Sequence, residues 1–266
     1  MAKRRIKNLV ITAVLAGLLW AGSVQAVIST EGLVSHWTFD EASGNTAYDS
    51  AGSNNGTLVN GAGRVAGISG NALNLDGIND YVNCGNNSSL DVGGGSFTIS
   101  AWVKRPTNEG VYDIISKRLP TSPNTGWSFE ILTWHDSNWR IKVWTPQEQG
   151  TNFFYPFAAD AWYYVAAVRD AEKSEITYYI NSSSGSGTLT LPFSNADNSN
   201  TANLSIGSLS EENTQYFKGS IDDVYIYNRA LSSAEINELY NVPEPVTLLL
   251  LGLGAIVARK TYAMRK

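Results

Sequence analysis

Short runs of alternating apolar and polar residues fill the middle of the chain. In the run LVSHWTFD, the odd-numbered residues from Leu33 to Phe39 fall on one face of a strand, and the even-numbered residues fall on the other. The run SFTISAWVKRP repeats this pattern, with Phe97 and Val103 on one face. The same alternation recurs in WSFEILTW, WRIKVW, WYYVAAVRD, EITYYIN and LSIGSLS. A period of two is that of a β-strand, so the chain is predicted to form many short strands.

The segments between these runs are rich in turn-forming residues. They read SAGSNNG, DVGGG, TSPNTG, HDSN and NSSSGSG, and their Gly, Asn, Asp, Pro and Ser residues favour tight turns. Many even strands without long amphipathic helices predict an all-β fold, an antiparallel jelly-roll β-sandwich. No linker interrupts the pattern, so residues 27–241 are predicted to form one domain.

One helix is predicted near the end of this domain, in LSSAEINELYN. Ser232 and Glu235 have the spacing of a capping box, in which each side chain accepts a backbone N–H at the helix start. Ile236, Leu239 and Tyr240 form a short apolar stripe. We therefore expect a short C-terminal helix that packs on the sandwich.

A β-bulge is predicted in the run GSIDDVYIY. A regular strand would place Val224 on the face opposite Ile221, although both are apolar. An irregularity at Asp222 and Asp223 would reconcile the two, and bulges often redirect a side chain towards a site.

The first 26 residues have the pattern of a secretory signal peptide. Four basic residues between positions 3 and 7 precede an apolar stretch from Leu9 to Ala21, and small residues lead up to Ala26. We predict cleavage by signal peptidase after Ala26. The alternative, an anchor helix, would need about 20 apolar residues, which this stretch does not supply.

Charge is distributed unevenly along the chain. Eight of the 19 Lys and Arg residues lie in the first 26 residues or in the last eight, so the body between them is clearly acidic. Nucleic-acid binding requires a basic stripe, and none is present. An acidic, Asn-rich surface is instead compatible with calcium and with neutral or cationic glycans.

Cysteine and histidine are scarce. Cys84 is the only cysteine, so no disulfide forms within the chain. His36 and His135 are the only histidines, which argues against a zinc cluster. A Ser-His-Asp site could be assembled from the many serines, but no G-x-S-x-G nucleophile elbow occurs.

Three stretches carry a family resemblance. LVSHWTFDEASGNTAYDSAGSNNGTLVNG, followed by GISGNALNLDGINDYVNCGNNSSLDVGGGSFTISAWVK, resembles the opening of laminin-G-like domains of the concanavalin A-like lectin/glucanase jelly-roll superfamily. WYYVAAVRDAEKSEITYYIN resembles the middle hairpin of these domains, and YFKGSIDDVYIYNRALSSAEINELY resembles their closing strand and helix. The resemblance covers nearly all of residues 27–241. It implies a jelly roll whose first and last strands are neighbours.

The C-terminal segment, residues 242–266, resembles a PEP-CTERM sorting signal. Pro243, Glu244 and Pro245 precede an apolar run at 246–258 and a basic end. By length alone this run is a marginal membrane span, and a buried helix is the alternative. The resemblance implies an exosortase that recognises the tail in the inner membrane and removes it, so that contact with the membrane is transient. It also implies a Gram-negative bacterium, with the mature protein at the cell surface or in the extracellular matrix.

A structural calcium ion is expected at one edge of the sandwich. Calcium binds six to eight oxygens from carboxylates, amide side chains and carbonyls. If the first and last strands are neighbours, as the resemblance implies, Asp40 and Asp222 converge with carbonyls of the Ser43–Thr46 loop. Asn45 and Asp49 complete the predicted ligand set. The alternative is that these side chains cap turns or face solvent.

Two tryptophans are candidates for stacking against sugar rings. Trp134 and Trp139 flank the predicted turn HDSN, where we expect both rings to be exposed. The alternative is that they fill the core, as strand tryptophans usually do.

The leading functional prediction is an exported, non-catalytic module that binds a glycan or a matrix component. Glucanases of this fold use paired carboxylates, typically in a Glu-x-Asp-x-Glu or Glu-x-Asp-x-x-Glu pattern, and no such pattern is present. Glu130 is the only acid in the middle of a central strand, so we expect that the chain is not an enzyme. Carboxylates from separate strands leave a glycan hydrolase open. A structural or adhesive matrix protein is the other alternative.

Overall fold

The computed structural model describes residues 28–106, 110–119, 125–133, 139–147, 152–210 and 214–241. The predicted signal peptide, the predicted sorting signal and Trp134 lie outside these residues, so the predictions about them stay predictions. In the part of the chain that is described, no helix is long and apolar enough to cross a membrane.

The described residues form strands and one α-helix. In chain order these are β1 (Leu33–Trp37), β2 (Thr46–Ala47), β3 (Gly56–Val59), β4 (Gly63–Ala66), β5 (Asn71–Asp76), β6 (Tyr81–Asn83), β7 (Phe97–Lys104), β8 (Gly110–Leu119), β9 (Thr125–Thr133), β10 (Trp139–Trp144), β11 (Phe153–Tyr155), β12 (Trp162–Asp170), β13 (Glu175–Ser182), β14 (Gly185–Pro192), β15 (Ser205–Ile206), β16 (Lys218–Tyr227) and α1 (Ser233–Tyr240).

The strands form two antiparallel sheets. The first sheet has the order β14-β13-β12-β7-β16-β5-β4, and β1 pairs with β16 beside β5. The second sheet has the order β11-β10-β9-β8-β15-β6-β3-β2. The predicted all-β antiparallel jelly-roll sandwich with one short C-terminal helix is thereby confirmed.

The main core lies between the two sheets, where the predicted alternation places apolar side chains. Phe97, Ile99 and Val103 of β7 are at most 1% exposed and face inward. Trp127 of β9 belongs to the same cluster, and its ring lies 6.4 Å from that of Phe97. Full burial of one such side chain contributes about 1.5–3 kcal/mol. The many buried side chains between the sheets together therefore supply much of the driving force for folding.

The outer face of the first sheet is covered by α1, as its apolar stripe predicts. Ile236 and Leu239 are buried, and the Tyr240 ring stacks on Trp102 of β7 at 5.3 Å. The predicted capping box is present, because Ser232 accepts from the backbone N–H of Glu235 and Glu235 accepts from that of Ser232. These contacts fix the helix in its position on the sheet.

The predicted bulge is also confirmed. Pairing between β16 and β7 shifts register between Asp222 and Tyr225. Asp223 has a φ angle of +46°, in the left-handed region that few residues other than glycine adopt. Beyond the bulge, β16 continues and pairs with β1, so the first and last strands are neighbours as expected.

The capping box at the start of α1 can be tested directly. We expect Ser232→Ala to lower the free energy of unfolding by about 1 kcal/mol, since it removes the acceptor for the N–H of Glu235. Ser233→Ala is the matched control, because Ser233 is exposed at the first helical residue. Urea unfolding of both variants measures the difference. Equal stability of the two variants would contradict the assigned cap.

Candidate functional site

The turn Gly67–Asn71 joins two of the predicted calcium ligands. Asp40 Oδ1 accepts the N–H of Asn71 at 2.7 Å, and Asp222 Oδ2 accepts the N–H of Ile68 at 2.9 Å. A Cβ atom on Gly67 would overlap Asp222 Oδ2 and lie 2.9 Å from the Asn71 carbonyl oxygen. Both carboxylates therefore contact the same turn, and the Asn71 carbonyl oxygen lies near Asp222.

Asp222 is the buried member of this pair. Its side chain lies at the bulge in β16 and the residue is 0% exposed. Burial, and then the neighbouring charge of Asp223, raises the pKa of Asp222 to about 8. A cation at this turn would favour the ionised carboxylate.

Asp49 belongs to a different loop, and its oxygens are already occupied. Oδ1 accepts the backbone N–H groups of His36, Ala51 and Gly52 at 3.0 to 3.1 Å. Oδ2 accepts the N–H of Asn54 at 3.0 Å. Four donors converging on one carboxylate form an anion-binding loop. Asp49 therefore binds the backbone N–H groups of its own loop and does not lie at the Gly67–Asn71 turn.

Arg64 occupies the loop that was predicted to give carbonyl ligands. Its guanidinium donates to the carbonyl oxygens of Gly44 and Thr46, each at 2.7 Å, and forms an ion pair with Glu41 at 2.9 Å. Two carbonyl oxygens of the Ser43–Thr46 loop therefore already accept hydrogen bonds from an arginine, and calcium binding by this loop stays a prediction. Asn45 lies exposed in this same loop.

Only some of the predicted calcium ligands lie near one another. Asp40, Asp222 and the Asn71 carbonyl fit a partial oxygen cradle, whereas Asn45 and Asp49 do not join it. Within the described ranges, no group of three or more His, Cys, Asp or Glu side chains is arranged to hold a metal ion. Calcium binding stays a prediction.

The expectation that Trp139 is exposed is wrong. Its side chain is 5% exposed, belongs to the core between the sheets, and stacks on Phe157 at 5.2 Å. The alternation of β10 places residues 139, 141 and 143 inward together, and packing in the core outweighs proximity to a turn.

The outer face of the second sheet carries polar side chains where β8, β9 and β10 lie side by side. We call it the polar face. It consists of Asp113, Ser116, Arg118, Ser128, Glu130, Arg140, Lys142 and Trp144, together with Phe154 on β11.

Two carboxylates lie at the centre of the polar face. Asp113 of β8 is paired directly opposite Glu130 of β9, and the two residues are 0% and 2% exposed. Directly opposed strand residues have Cβ atoms about 4.5–5.5 Å apart. Burial, and then the charge of Glu130, raises the pKa of Asp113 well above its ordinary value. Neither Asp113 oxygen has a hydrogen-bond partner among the described residues.

Glu130, in contrast, has two polar partners. The Ser128 hydroxyl donates to its Oε1 at 2.5 Å, and Lys142 Nζ lies 3.4 Å from Oε2. The two carboxyl groups therefore occupy different electrostatic environments, the arrangement that separates the acid and base roles in many enzymes.

Aromatic rings and guanidinium groups border this centre. The Arg118 guanidinium lies 3.4 Å from the centre of the Trp144 ring, and that of Arg140 lies 4.3 Å from the Phe154 ring. Phe154 is 56% exposed, whereas Trp144 is 7% exposed. The polar face thus offers an exposed ring beside charged hydrogen-bond donors.

Sequence reasoning missed Asp113. Regular alternation would place Asp113 on the face opposite Ser116, but a bulge in β8, between Asp113 and Ile115, brings the two residues to the same face. Asp113 and Glu130 are 17 positions apart in the sequence, so no single-strand motif contains both. The available signal was an acid inside an otherwise apolar run, GVYDII.

Comparison with known proteins identifies the fold family. A model for laminin-G-like domains of the concanavalin A-like lectin/glucanases superfamily matches residues 76–237, which is more than half of the chain. The chain belongs to this superfamily. The match contains the polar face and the bulge in β16. No curated protein is significantly similar in sequence to the chain.

Solved structures share the fold at low sequence identity. A Trypanosoma rangeli sialidase in complex with sialic acid is 17% identical, with a TM-score of 0.58 over 80% of this chain and 33% of the sialidase. The binding domain of Paraclostridial Mosquitocidal Protein 1 is 19% identical, with a TM-score of 0.59 over 80% of this chain and 52% of that domain. Tailspike protein 2 of the Escherichia coli O157:H7 bacteriophage CAB120 is 14% identical, with a TM-score of 0.52 over 71% of this chain and 28% of the tailspike. The chain thus spans about a third to a half of these proteins.

The prediction that the chain is not an enzyme is contradicted. The structures that share its fold include a sialidase as well as a toxin binding domain, and its superfamily combines lectins with glucanases. The argument from a missing carboxylate pair fails too, because Asp113 lies opposite Glu130 on the adjacent strand.

Asp113 gives a pH-dependent test of the polar face. Its pKa is raised, so between the ordinary and the raised value the folded protein retains a proton that the unfolded chain has lost. Stability therefore falls as pH rises through that window. We expect the melting temperature of Asp113→Asn, relative to the unmodified protein, to increase steadily from pH 4 upward.

Asp197→Asn is the control with the opposite sign. Hydrogen bonds from Ser199 lower the pKa of Asp197, so its contribution to stability is present at neutral pH and lost on acidification. Thermal melts of both variants across the same pH series measure the two trends. Parallel trends would contradict the buried, raised-pKa assignment of Asp113.

Proposed function

We propose that this chain is an exported carbohydrate-binding domain and that its glycan contacts the polar face. Export follows from the predicted signal peptide, with cleavage after Ala26. The sorting signal at Pro243, Glu244 and Pro245 would deliver the domain, through an exosortase, to the cell surface or the extracellular polysaccharide. A glycan or a matrix component is the expected partner.

The observation that carries the proposal is the exposed Phe154 ring next to charged donors. A sugar presents an apolar face of C–H groups and a rim of hydroxyls, so it packs on an aromatic ring while its hydroxyls bind neighbouring polar groups. On the polar face, Arg140 lies against Phe154, and Lys142 extends from the same strand. The lectin/glucanase membership supports the same ligand class.

A second candidate function, glycan hydrolysis, is favoured by Asp113 and Glu130. Retaining glycosidases use two neighbouring carboxyl groups, and direct pairing of Asp113 with Glu130 brings two such side chains together on adjacent strands. Asp113, whose pKa is raised, would be the proton donor to the leaving oxygen. Glu130, ion-paired with Lys142, would be the nucleophile.

Calcium remains part of the proposal as a structural ion at the Gly67–Asn71 turn. Asp40 and Asp222 would hold it, together with the Asn71 carbonyl. The ion would supply positive charge between two carboxylates that otherwise repel each other. This site lies on the first sheet and does not contribute to the polar face.

Glycan binding is tested with two exposed aromatic residues. We expect the protein purified from the full chain to bind a defined polysaccharide on a glycan array, and Phe154→Ala to lose at least 90% of that signal. Tyr48→Ala is the matched control, since Tyr48 is 59% exposed and follows β2, at the opposite edge of the second sheet from Phe154. Both variants should melt at the temperature of the unmodified protein.

The other outcomes are equally informative. Loss of binding in Tyr48→Ala with retention in Phe154→Ala would contradict the position of the site. Failure of the folded, unmodified protein to bind any glycan would contradict the function. Release of reducing ends from a bound glycan, lost in Glu130→Gln and kept in the exposed control Glu172→Gln, would assign hydrolysis to the polar face.

Calcium binding is tested by stability. Ligand at 100 times its dissociation constant stabilises a folded protein by about 2.7 kcal/mol, so we expect calcium to raise the melting temperature of chelator-treated protein by several degrees. Asp222→Asn should abolish that increase, and Asp76→Asn, at an exposed turn, should retain it. An unchanged melting temperature in the unmodified protein would show that calcium does not stabilise the fold.

A further inference from the structure

Ser50, His36 and Asp223 form a chain of hydrogen bonds on the outer face of the first sheet. Ser50 Oγ lies 3.0 Å from His36 Nδ1, and Asp223 Oδ1 lies 2.9 Å from His36 Nε2. Ser50 lies 14 positions after His36, and Asp223 lies 187 positions after it. β1, the following loop and β16 bring the three residues together. This is the residue set of a serine nucleophile with its base and its orienting carboxylate.

The backbone fixes the first two members. His36 lies on β1, directly paired with Tyr225 of β16, and its ring stacks on the Tyr225 ring at 3.8 Å with an interplanar angle of 11°. The N–H of Ser50 donates to the carbonyl oxygen of His36 at 2.8 Å, which places the serine beside the imidazole. The ring and the hydroxyl are therefore held in position by groups other than each other.

The bulge in β16 supplies the third member. Asp223 adopts a left-handed backbone conformation, with φ at +46°, and its N–H donates to Asp222 Oδ1 at 2.8 Å. Such a conformation is strained in a residue other than glycine, and it persists where the surrounding structure requires it. Here it directs the carboxylate towards the outer face and onto His36.

The two contacts of the imidazole suit one tautomer for general-base catalysis. A carboxylate at Asp223 accepts a hydrogen bond from Nε2–H, and in that tautomer of the neutral ring Nδ1 carries a lone pair that faces the Ser50 hydroxyl. That hydroxyl also reaches the carbonyl oxygen of His36 at 2.9 Å, and rotation of its hydrogen towards Nδ1 moves no heavy atom. In serine proteases, Nε2 faces the serine and Nδ1 faces the carboxylate. Here Nδ1 faces the serine and Nε2 faces the carboxylate.

A cleft adjoins the serine. It has a volume of about 360 Å³, within the range of small-molecule sites, and His36 and Ser50 line it together with the apolar side chains of Ile28 and Leu33. Ser50 is exposed at its edge. The walls suit a short acyl chain next to the hydroxyl, and neither a metal ion nor a cofactor is required.

We propose that Ser50 is an acyl-transfer nucleophile, with His36 as its general base and Asp223 as a positioning residue, acting on esters of short-chain carboxylic acids. Sequence analysis discounted a Ser-His-Asp site because the G-x-S-x-G elbow is absent, but strand pairing and a bulge assemble the residues without it. This activity is separate from the polar face, which lies on the other sheet.

The reaction balances with water as the only co-reactant. Ser50 Oγ bonds to the ester carbonyl carbon while its proton passes to His36 Nδ1. The ester C–O bond then breaks, and the leaving alcohol takes that proton. Water attacks the acyl-serine and loses a proton to His36. Release of the carboxylic acid returns the proton to Ser50 Oγ and restores the free enzyme.

Covalent labelling tests the nucleophile directly. A fluorophosphonate probe, incubated with protein from the full chain, should form one adduct, which mass spectrometry of peptides places on Ser50. The adduct should disappear in Ser50→Ala and in His36→Gln. It should persist in Ser53→Ala, an exposed serine of the same loop. No adduct, or an adduct on another serine, would overturn the proposal.

Hydrolysis of p-nitrophenyl acetate gives the second readout. General-base catalysis contributes about 10²–10⁴-fold, so Ser50→Ala should reduce kcat/KM about 100-fold or more, and Ser53→Ala should leave it unchanged. Asp223→Asn should lower kcat with little change in KM, as expected for a residue that acts through His36. Equal rates in Ser50→Ala and the unmodified protein would refute the assignment.

Discussion

The irregular pairing at Asp222 and Asp223 is the constraint on which much of this structure depends. β16 is a central strand of the first sheet, paired with β7 along its length and with β5 and then β1 on its other side. The bulge directs Asp222 to the turn Gly67–Asn71 and Asp223 to His36. Without it, the acids would alternate regularly and one of them would enter the core, at the cost of desolvating a charge.

The two sheets carry different kinds of chemistry on their outer faces. On the first sheet, α1 packs on aromatic side chains of β7, β12 and β16, and a cleft lies beside Ser50. On the second sheet, the outer face instead carries two buried carboxylates, bordered by the guanidinium groups of Arg118 and Arg140. Both faces rest on the same core between the sheets. A change to a core residue such as Trp127 would therefore disturb both sites, and only outer-face substitutions separate them.

Much of the fold could be predicted because it depends on local signals. The alternation in β7, the capping box at Ser232 and the period conflict at Val224 each involve neighbouring residues, and each was confirmed. Trp139 was misplaced because a turn nearby says little about which face of β10 a ring occupies. The register of that strand, and the depth of the core behind it, decide the exposure.

The sites were harder to predict because they are made of residues far apart in the chain. Asp113 and Glu130 meet through strand pairing, and His36 meets Asp223 across 187 positions. Arg64 of β4 likewise contacts the Ser43–Thr46 loop through hydrogen bonds that no local sequence pattern predicts. Neither spacing nor composition reports such pairings, since they follow from the register of the whole sheet.

The central claim is that glycan contacts the outer face of the second sheet. Hydrogen–deuterium exchange of the protein, with and without the polysaccharide that it binds, tests this most directly. The account predicts increased protection in β10 and β11, with no change in α1 or in the loop that contains Ser50. Protection confined to the first sheet or to α1 would contradict it.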